Sequence, residues 1–269
     1  MSSQNAHQLV SIAIATYNGG SFLTEQLDSL LNQSYKNIEI VISDDKSTDN
    51  TLSILDEYAR KDPRITYSIN PSPSGFKNNF NRAISLCKGE IIFLCDQDDI
   101  WFENKIEEHI QCYKNPNIQW VYNEVALVDE HKKPIGEYPS NYYTGLSFFY
   151  MTGGRCILGC ATSYRSNLLT KVLPINDLAP GHDSYIQMAI YPTKSFYIHK
   201  KLQEYRQHKR SVTTGIQESP TDINLNIKKS IAYVKNLSFD NKLAITKRIY
   251  LFFLYCLKLL KYSIKKHTI

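Results

Sequence analysis

Along the first hundred residues, short apolar runs take turns with stretches of helical periodicity. Val10 to Ala15, Ile38 to Ile42 and Ile65 to Ile69 have strand length, and each is closed by polar or turn-forming residues. Between them, Phe22, Leu23, Leu27, Leu30 and Leu31 mark a helix over Ser21 to Leu31, and Asp49 is the expected N-cap of a helix over Leu52 to Tyr58. The loop Pro71 to Gly75 leads into a helix from Lys77 to Leu86 and then into the apolar run from Ile91, which stops at Asp96. A further helix follows around Asn104 to Tyr113. This alternation predicts an α/β domain: a parallel sheet with helices on both faces.

Beyond Trp101 the rhythm changes. Trp120 to Val128 reads as a strand, residues 136–156 as a Gly- and Tyr-rich loop over the site, and Cys156 to Tyr164 as β-like. Ser166 to Val172 is an expected short helix, and Gly181-His182-Asp183 precedes another, Tyr185 to Ile190. Phe196 to Ile198 and Leu202 to Tyr205 are expected as two short strands around a turn.

Composition narrows the class. An apolar fraction of 42% over 269 residues supports a substantial core. The six cysteines show no C-x-x-C pair and no zinc-like spacing, which points to reduced core thiols. The segment Met1 to Gln8 is polar and has no apolar signal-like core, so a cytoplasmic location is expected. The net charge of +5 is uneven: residues 227–269 hold ten Lys/Arg and one acid, leaving 21 basic and 25 acidic residues elsewhere. A mildly acidic main domain argues against nucleic acid as the partner.

The candidate chemistry collects at strand ends. Thr16-Tyr17-Asn18, Asp44-Asp45 and Asp96/Asp98/Asp99 each follow an apolar run, and a parallel sheet brings such ends to one edge, where open α/β folds bind ligands. Three clustered carboxylates repel one another unless a cation neutralises them, so a divalent metal with a bound phosphate is the economical reading. A polar turn capping the next helix is the bland alternative. An aromatic face and a carboxylate on one side and a metal on the other suit a nucleoside diphosphate.

Three stretches carry a resemblance: Ser11 to Gly19, Ile40 to Asp49, and Lys88-Gly89-Glu90 through Asp96-Gln97-Asp98-Asp99-Ile100-Trp101. In order and spacing, across roughly residues 9–210, the chain resembles a family 2 glycosyltransferase of the GT-A fold, of the bacterial surface-polysaccharide, rhamnosyltransferase-like type. The resemblance implies a Rossmann-like mixed sheet flanked by helices in a catalytic domain over 1–215, and a basic helical extension over 216–269. It implies that Thr16, Tyr17 and Asn18 border the base, that Asp45 reads it, and that Asp96 and Asp98 hold donor and metal, with Asp99 extending the motif. Lys77 becomes either a nucleotide contact or a surface lysine. Asp183 matches the general base of inverting members, although His182 stands where the family often has Glu. Arg206 and His208 resemble a Tyr-Arg-x-His element near the diphosphate, with His208 joining Asp98 and Asp99 at Mn²⁺ or Mg²⁺; a solvated basic turn is the alternative. Trp101 and the Gly159-Cys160 turn fall on the acceptor side, Trp101 with core as its competing role. Tyr138, Tyr142, Tyr143 and Tyr150 either stack on sugars or close over the donor.

The resulting expectation is metal-dependent, inverting transfer from a dTDP- or UDP-sugar, dTDP-rhamnose among them, to an oligosaccharide or lipid-linked glycan. A sugar nucleotidyltransferase would carry a basic Gly-rich loop after the first strand, whereas Thr16 to Gly20 has no Lys or Arg. An inactive nucleotide-sugar-binding module would have lost its carboxylates. The run Ile249 to Leu257 is apolar but too short to span a bilayer, and Lys247, Lys258, Lys261 and Lys265 form a basic stripe beside it. That pattern fits peripheral contact with the inner leaflet, or else a helix packed on the domain or on a second subunit.

Overall fold

The structure, a computed structural model, describes residues 8–138, 157–177, 179, 181–190, 193–209 and 211. The expected 216–269 extension, with its membrane contact, and Tyr142, Tyr143 and Tyr150 lie outside the described residues.

The apolar runs become strands because every second side chain finds cover on each face. β1 (Val10–Thr16), β2 (Ile38–Asp44), β3 (Ile65–Ile69) and β4 (Ile91–Cys95) pair in parallel in the order β3-β2-β1-β4. Val10, Ile12 and Ile14 face one layer with Leu23, Leu27 and Leu30 of α1 (Leu23–Leu31) and Leu55 of α2 (Thr51–Lys61). Ala13, Ile92 and Leu94 face the other, with Phe80, Ala83 and Ile84 of α3 (Gly75–Leu86). Asp49 caps α2 from one position earlier than expected: Asn50 is the N-cap residue, and the Asp49 carboxylate accepts the Thr51 N–H at 3.0 Å.

The parallel pairing expected of the first hundred residues holds for β1 to β4, and the second half of the chain makes the sheet mixed, as the GT-A resemblance implies. β8 (Thr162–Arg165) adds antiparallel to β4, followed by β6 (Trp120–Val128) and β9 (Ser195–Arg206). β5 (Ile100–Trp101) closes that edge on β9, and β7 (Pro134–Glu137) pairs with β6. Cys156 to Tyr164 is not one strand: a 3₁₀ turn, Gly159–Ala161, precedes β8. The two expected short strands are a single β9, whose register against β6 slips twice between Asn123 and Ala126. Those bulges let a long strand bend instead of breaking into a turn. The remaining helices are α4 (Lys105–Cys112), α5 (Ser166–Leu169) and α6 (His182–Ile190), the last starting three residues earlier than expected.

Gly89 locks the start of β4. Its N–H donates to Ser11 Oγ at 2.7 Å, and a Cβ there would stand 2.6 Å from the Ser11 backbone nitrogen. Gly89→Ala is therefore expected to cost about 1–3 kcal/mol, because the obstacle is backbone and cannot swing aside. Calorimetry should show Tm falling by several degrees; an unchanged Tm would contradict this packing.

Candidate active site

β1 and β4 are neighbours, yet the chain leaves β1 toward β2 and reaches β4 from the far side through α3. A crevice opens at such a switch point, at the carboxyl ends of the strands. Gln97 bridges it: the Tyr17 N–H donates to Gln97 Oε1 at 2.9 Å, and Gln97 Nε2 donates to Tyr17 O at 3.2 Å. A side chain at Gly19 would collide with that amide, its Cβ falling 2.2 Å from Gln97 Oε1. The Tyr17 backbone is held while its ring stays 54% exposed, a face on which a planar base can stack. Asn18 takes a left-handed φ of 47°, and its Oδ1 accepts the Thr48 N–H at 2.8 Å.

The adjacent carboxylates Asp44 and Asp45 have different duties. Asp44 is sealed and accepts from the Thr16 hydroxyl, the Ser47 N–H and the Ser47 hydroxyl, each at 2.7 Å. Thr16 thus borders the cleft as a buried brace. Asp45 Oδ1 accepts from Asn70 Nδ2, the Ser74 N–H and the Ser74 hydroxyl, and Oδ2 accepts the Gly75 N–H at 2.8 Å. Burial pushes its carboxyl up, but these donors outweigh burial and hold it below the usual carboxylate range. Only Oδ2 keeps capacity for a further donor.

The Asp96/Asp98/Asp99 motif also divides. Asp96 Oδ, Asp99 Oδ and Cys160 Sγ lie within 4.8 Å of one another. Asp98 turns to His208, Oδ2 to Nε2 at 2.8 Å, so the expected Asp98/Asp99/His208 trio is split between that pair and the cluster that holds Asp99. Asp99 is fully buried; Oδ2 accepts from Gln203 Nε2 at 2.9 Å and Oδ1 from the Arg206 N–H at 3.1 Å. Burial first, then the charges of Asp96 and Asp98, push the Asp99 carboxyl well up. The same two causes, desolvation and then Asp98, push Asp96 up to about 7, and Asp183 adds to it. The Cys160 thiol is raised by burial and stays protonated. Arg206 is buried rather than a solvated turn: Nη2 donates to Glu25 Oε2 at 2.5 Å, and its guanidinium lies 4.6 Å from the Phe22 ring centroid.

The N-terminus of α6 borders this cluster. Asp183 Oδ1 accepts the Ser184 N–H at 2.7 Å, while Oδ2 takes no hydrogen bond from the described residues. His182 stacks on Phe80 at 3.9 Å between ring centroids, and neither ring nitrogen has a hydrogen-bond partner among the described residues. Each such unmet group costs about 1–3 kcal/mol, and burial lowers the imidazole pKa, keeping the ring neutral. Gly159 leaves the room His182 needs, since a Cβ would stand 2.7 Å from His182 Nε2. Two expectations are corrected. Lys77 Nζ donates to the carbonyls of Asp177 and Ala179, bracing the approach to α6 instead of reaching the cleft. Trp101 is 2% exposed and packs on Phe93, so it belongs to the core and not to an acceptor surface.

Oxygen donors dominate the cluster, and burial together with the mutual repulsion of its carboxylates pushes both carboxyls up, so the residues fit a hard divalent cation. A model of glycosyl transferase family 2 matches residues 11–173. The chain belongs to glycosyl transferase family 2. Among relatives of this family 2 chain, the dTDP-rhamnosyl transferase RfbG of Shigella flexneri is 33% identical over 74% of the chain and 72% of its own length. A UDP-Glc:alpha-D-GlcNAc-diphosphoundecaprenol beta-1,3-glucosyltransferase, WfaP of Escherichia coli, is 38% identical over 45% of the chain and 47% of its length. The chain spans about half the length of several of the curated relatives it matches. The fold matches that of S. aureus TarS 1-349 in complex with UDP-GlcNAc, with a TM-score of 0.69 and 19% identity over 91% of the chain and 70% of TarS 1-349. The GT-A architecture expected from the sequence is therefore present.

Gln97, Gln203, Glu25 and Lys105 were not singled out by sequence reasoning. Gln97 could have been, since it sits inside the Asp-Gln-Asp-Asp motif. The others carry no local signal, because their partners lie far along the chain.

Proposed function

We propose that this chain is a metal-dependent, inverting glycosyltransferase that moves a sugar from a UDP- or dTDP-sugar to a lipid-linked glycan in bacterial surface-polysaccharide synthesis. The observation that carries this reading is the uncommitted Oδ2 of Asp183 beside the Asp96/Asp98/Asp99 cluster. Asp183 accepts the proton of the acceptor hydroxyl as its oxygen attacks the sugar C1. The C1–O bond to the diphosphate breaks, and nucleoside diphosphate leaves from the opposite face, inverting the anomeric centre. No second carboxylate is needed as a nucleophile. Asp96 and Asp99 would hold Mn²⁺ or Mg²⁺, with the Asp98–His208 pair beside them, and the cation would supply neutralisation of the departing diphosphate. Tyr17 stacks on the base, and Asp45 Oδ2 accepts its imide N–H. A uracil or thymine base is supported by the dTDP and UDP-Glc donors of the related RfbG and WfaP, and the lipid-linked acceptor by WfaP.

Thermal-shift titration tests the donor half directly. UDP, dTDP, GDP, CMP and ADP are added with and without Mn²⁺, because a bound ligand raises Tm by mass action. A Mn²⁺-dependent rise with UDP or dTDP, larger than with the other three, is the expected result. No rise with any of the five would overturn the cleft assignment.

A further inference from the structure

α4 buries a lysine and a histidine, Lys105 and His109, beside Ile106 and Ile110. Lys105, the first residue of α4, is fully buried. Its Nζ donates to the Cys160 carbonyl at 2.6 Å and to Gln203 Oε1, and lies 3.8 Å from the Trp101 ring centroid. Gln203 in turn donates from Nε2 to Asp99 Oδ2 at 2.9 Å. One turn further along α4, His109 repeats the pattern, bonding Ser163 and Asn123 with its two ring nitrogens. The helix is thus keyed to the sheet by a polar seam. The end of that seam nearest the cleft reaches both the turn that carries Cys160 and the side chain that orients Asp99.

We propose that Lys105 is a positioning residue for the cation pocket. It clamps the Gly159–Ala161 turn to β9 and, through Gln203, sets the direction in which Asp99 faces Asp96. An apolar side chain of the same length would fill the space, but the Cys160 carbonyl and the Gln203 amide would then lose their shared donor. A buried ammonium is a costly choice for filling space and suits a task that requires fixed directions. The aromatic face of Trp101 supports the charge from below, which gives this core tryptophan a part in the same clamp.

The inference rests on the metal-dependent reading above. Its test uses the full chain and Mn²⁺ with UDP or dTDP, whichever the wild type binds, and reads dissociation constants by calorimetry together with near-UV circular dichroism. Lys105→Met keeps the stem and removes the donors; Gln203→Leu cuts the same relay while leaving Lys105 bonded to the Cys160 carbonyl. Both are expected to weaken Mn²⁺-supported nucleotide binding by tenfold or more while leaving binding of the same nucleotide without Mn²⁺ within twofold. The double variant should lose no more than the worse single one, because the two residues act as one relay. If Lys105→Met does not fold, Gln203→Leu alone decides. Wild-type binding of Mn²⁺–nucleotide by either folded variant would overturn the clamp. A wild type that binds no Mn²⁺–nucleotide would overturn the metal-dependent reading and the clamp with it, and that failure is visible before any variant is made.

Discussion

Asp183→Asn is expected to lower kcat by about 10³-fold while the dissociation constant of the nucleotide-sugar stays within about threefold. The amide has the same shape and still accepts the Ser184 N–H through its oxygen, so the start of α6 should keep its conformation. What is lost is the anionic Oδ2 that would take the acceptor proton. Because the base acts only as the hydroxyl attacks, the loss belongs in kcat and not in donor affinity. Donor binding is measured by calorimetry and transfer by release of nucleoside diphosphate. Near-normal turnover by this variant would remove Asp183 as the base and leave the mechanism without one.

Asp96→Asn should act on the opposite side of the reaction, and its effect should depend on pH. Burial and the charge of Asp98 push the Asp96 carboxyl up to about 7, against roughly 3.9 for an unfolded aspartate. Between those values the folded chain holds more protons than the unfolded one, so stability from this group falls as pH rises toward about 7 and then levels off. A divalent cation competes with those protons. The rise in Tm caused by Mn²⁺ should therefore be larger at pH 7.5 than at pH 5.5. Asp96→Asn should abolish the Mn²⁺ response, raise the metal-free Tm at pH 7.5, and reduce kcat/KM by about 10²–10³-fold, as expected when a positioned electrostatic element of the transition state is removed. A Mn²⁺ response in the wild type that does not change with pH, or one that survives in Asp96→Asn, would show that the cluster is not the cation pocket.

Both substitutions fall in motifs that stand out in the sequence, yet their neighbours show how far such motifs reach. Asp44 and Asp45 are adjacent and chemically identical. Asp44 is consumed by Thr16 and Ser47, while Asp45 anchors the start of α3 through Ser74 and Gly75, some thirty residues on. Asp98 and Asp99 are likewise adjacent. One pairs with His208 and the other is buried under Gln203 and the Arg206 N–H, each partner more than a hundred residues away. Lys77 and Trp101 looked like cleft residues by position, and their contacts place them elsewhere.

The amino-acid sequence by itself determined the four apolar runs that become the parallel half of the sheet and the polar turns that end them, because burial on two faces and on one leave different periodicities. It also determined that carboxylates collect at strand ends. The tertiary structure alone decided which carboxylates keep oxygens for a ligand, that β9 is one bent strand, and that Lys105 points inward. Those outcomes depend on pairings between residues far apart in the chain, and a hydrogen bond made across a hundred residues leaves no spacing to read.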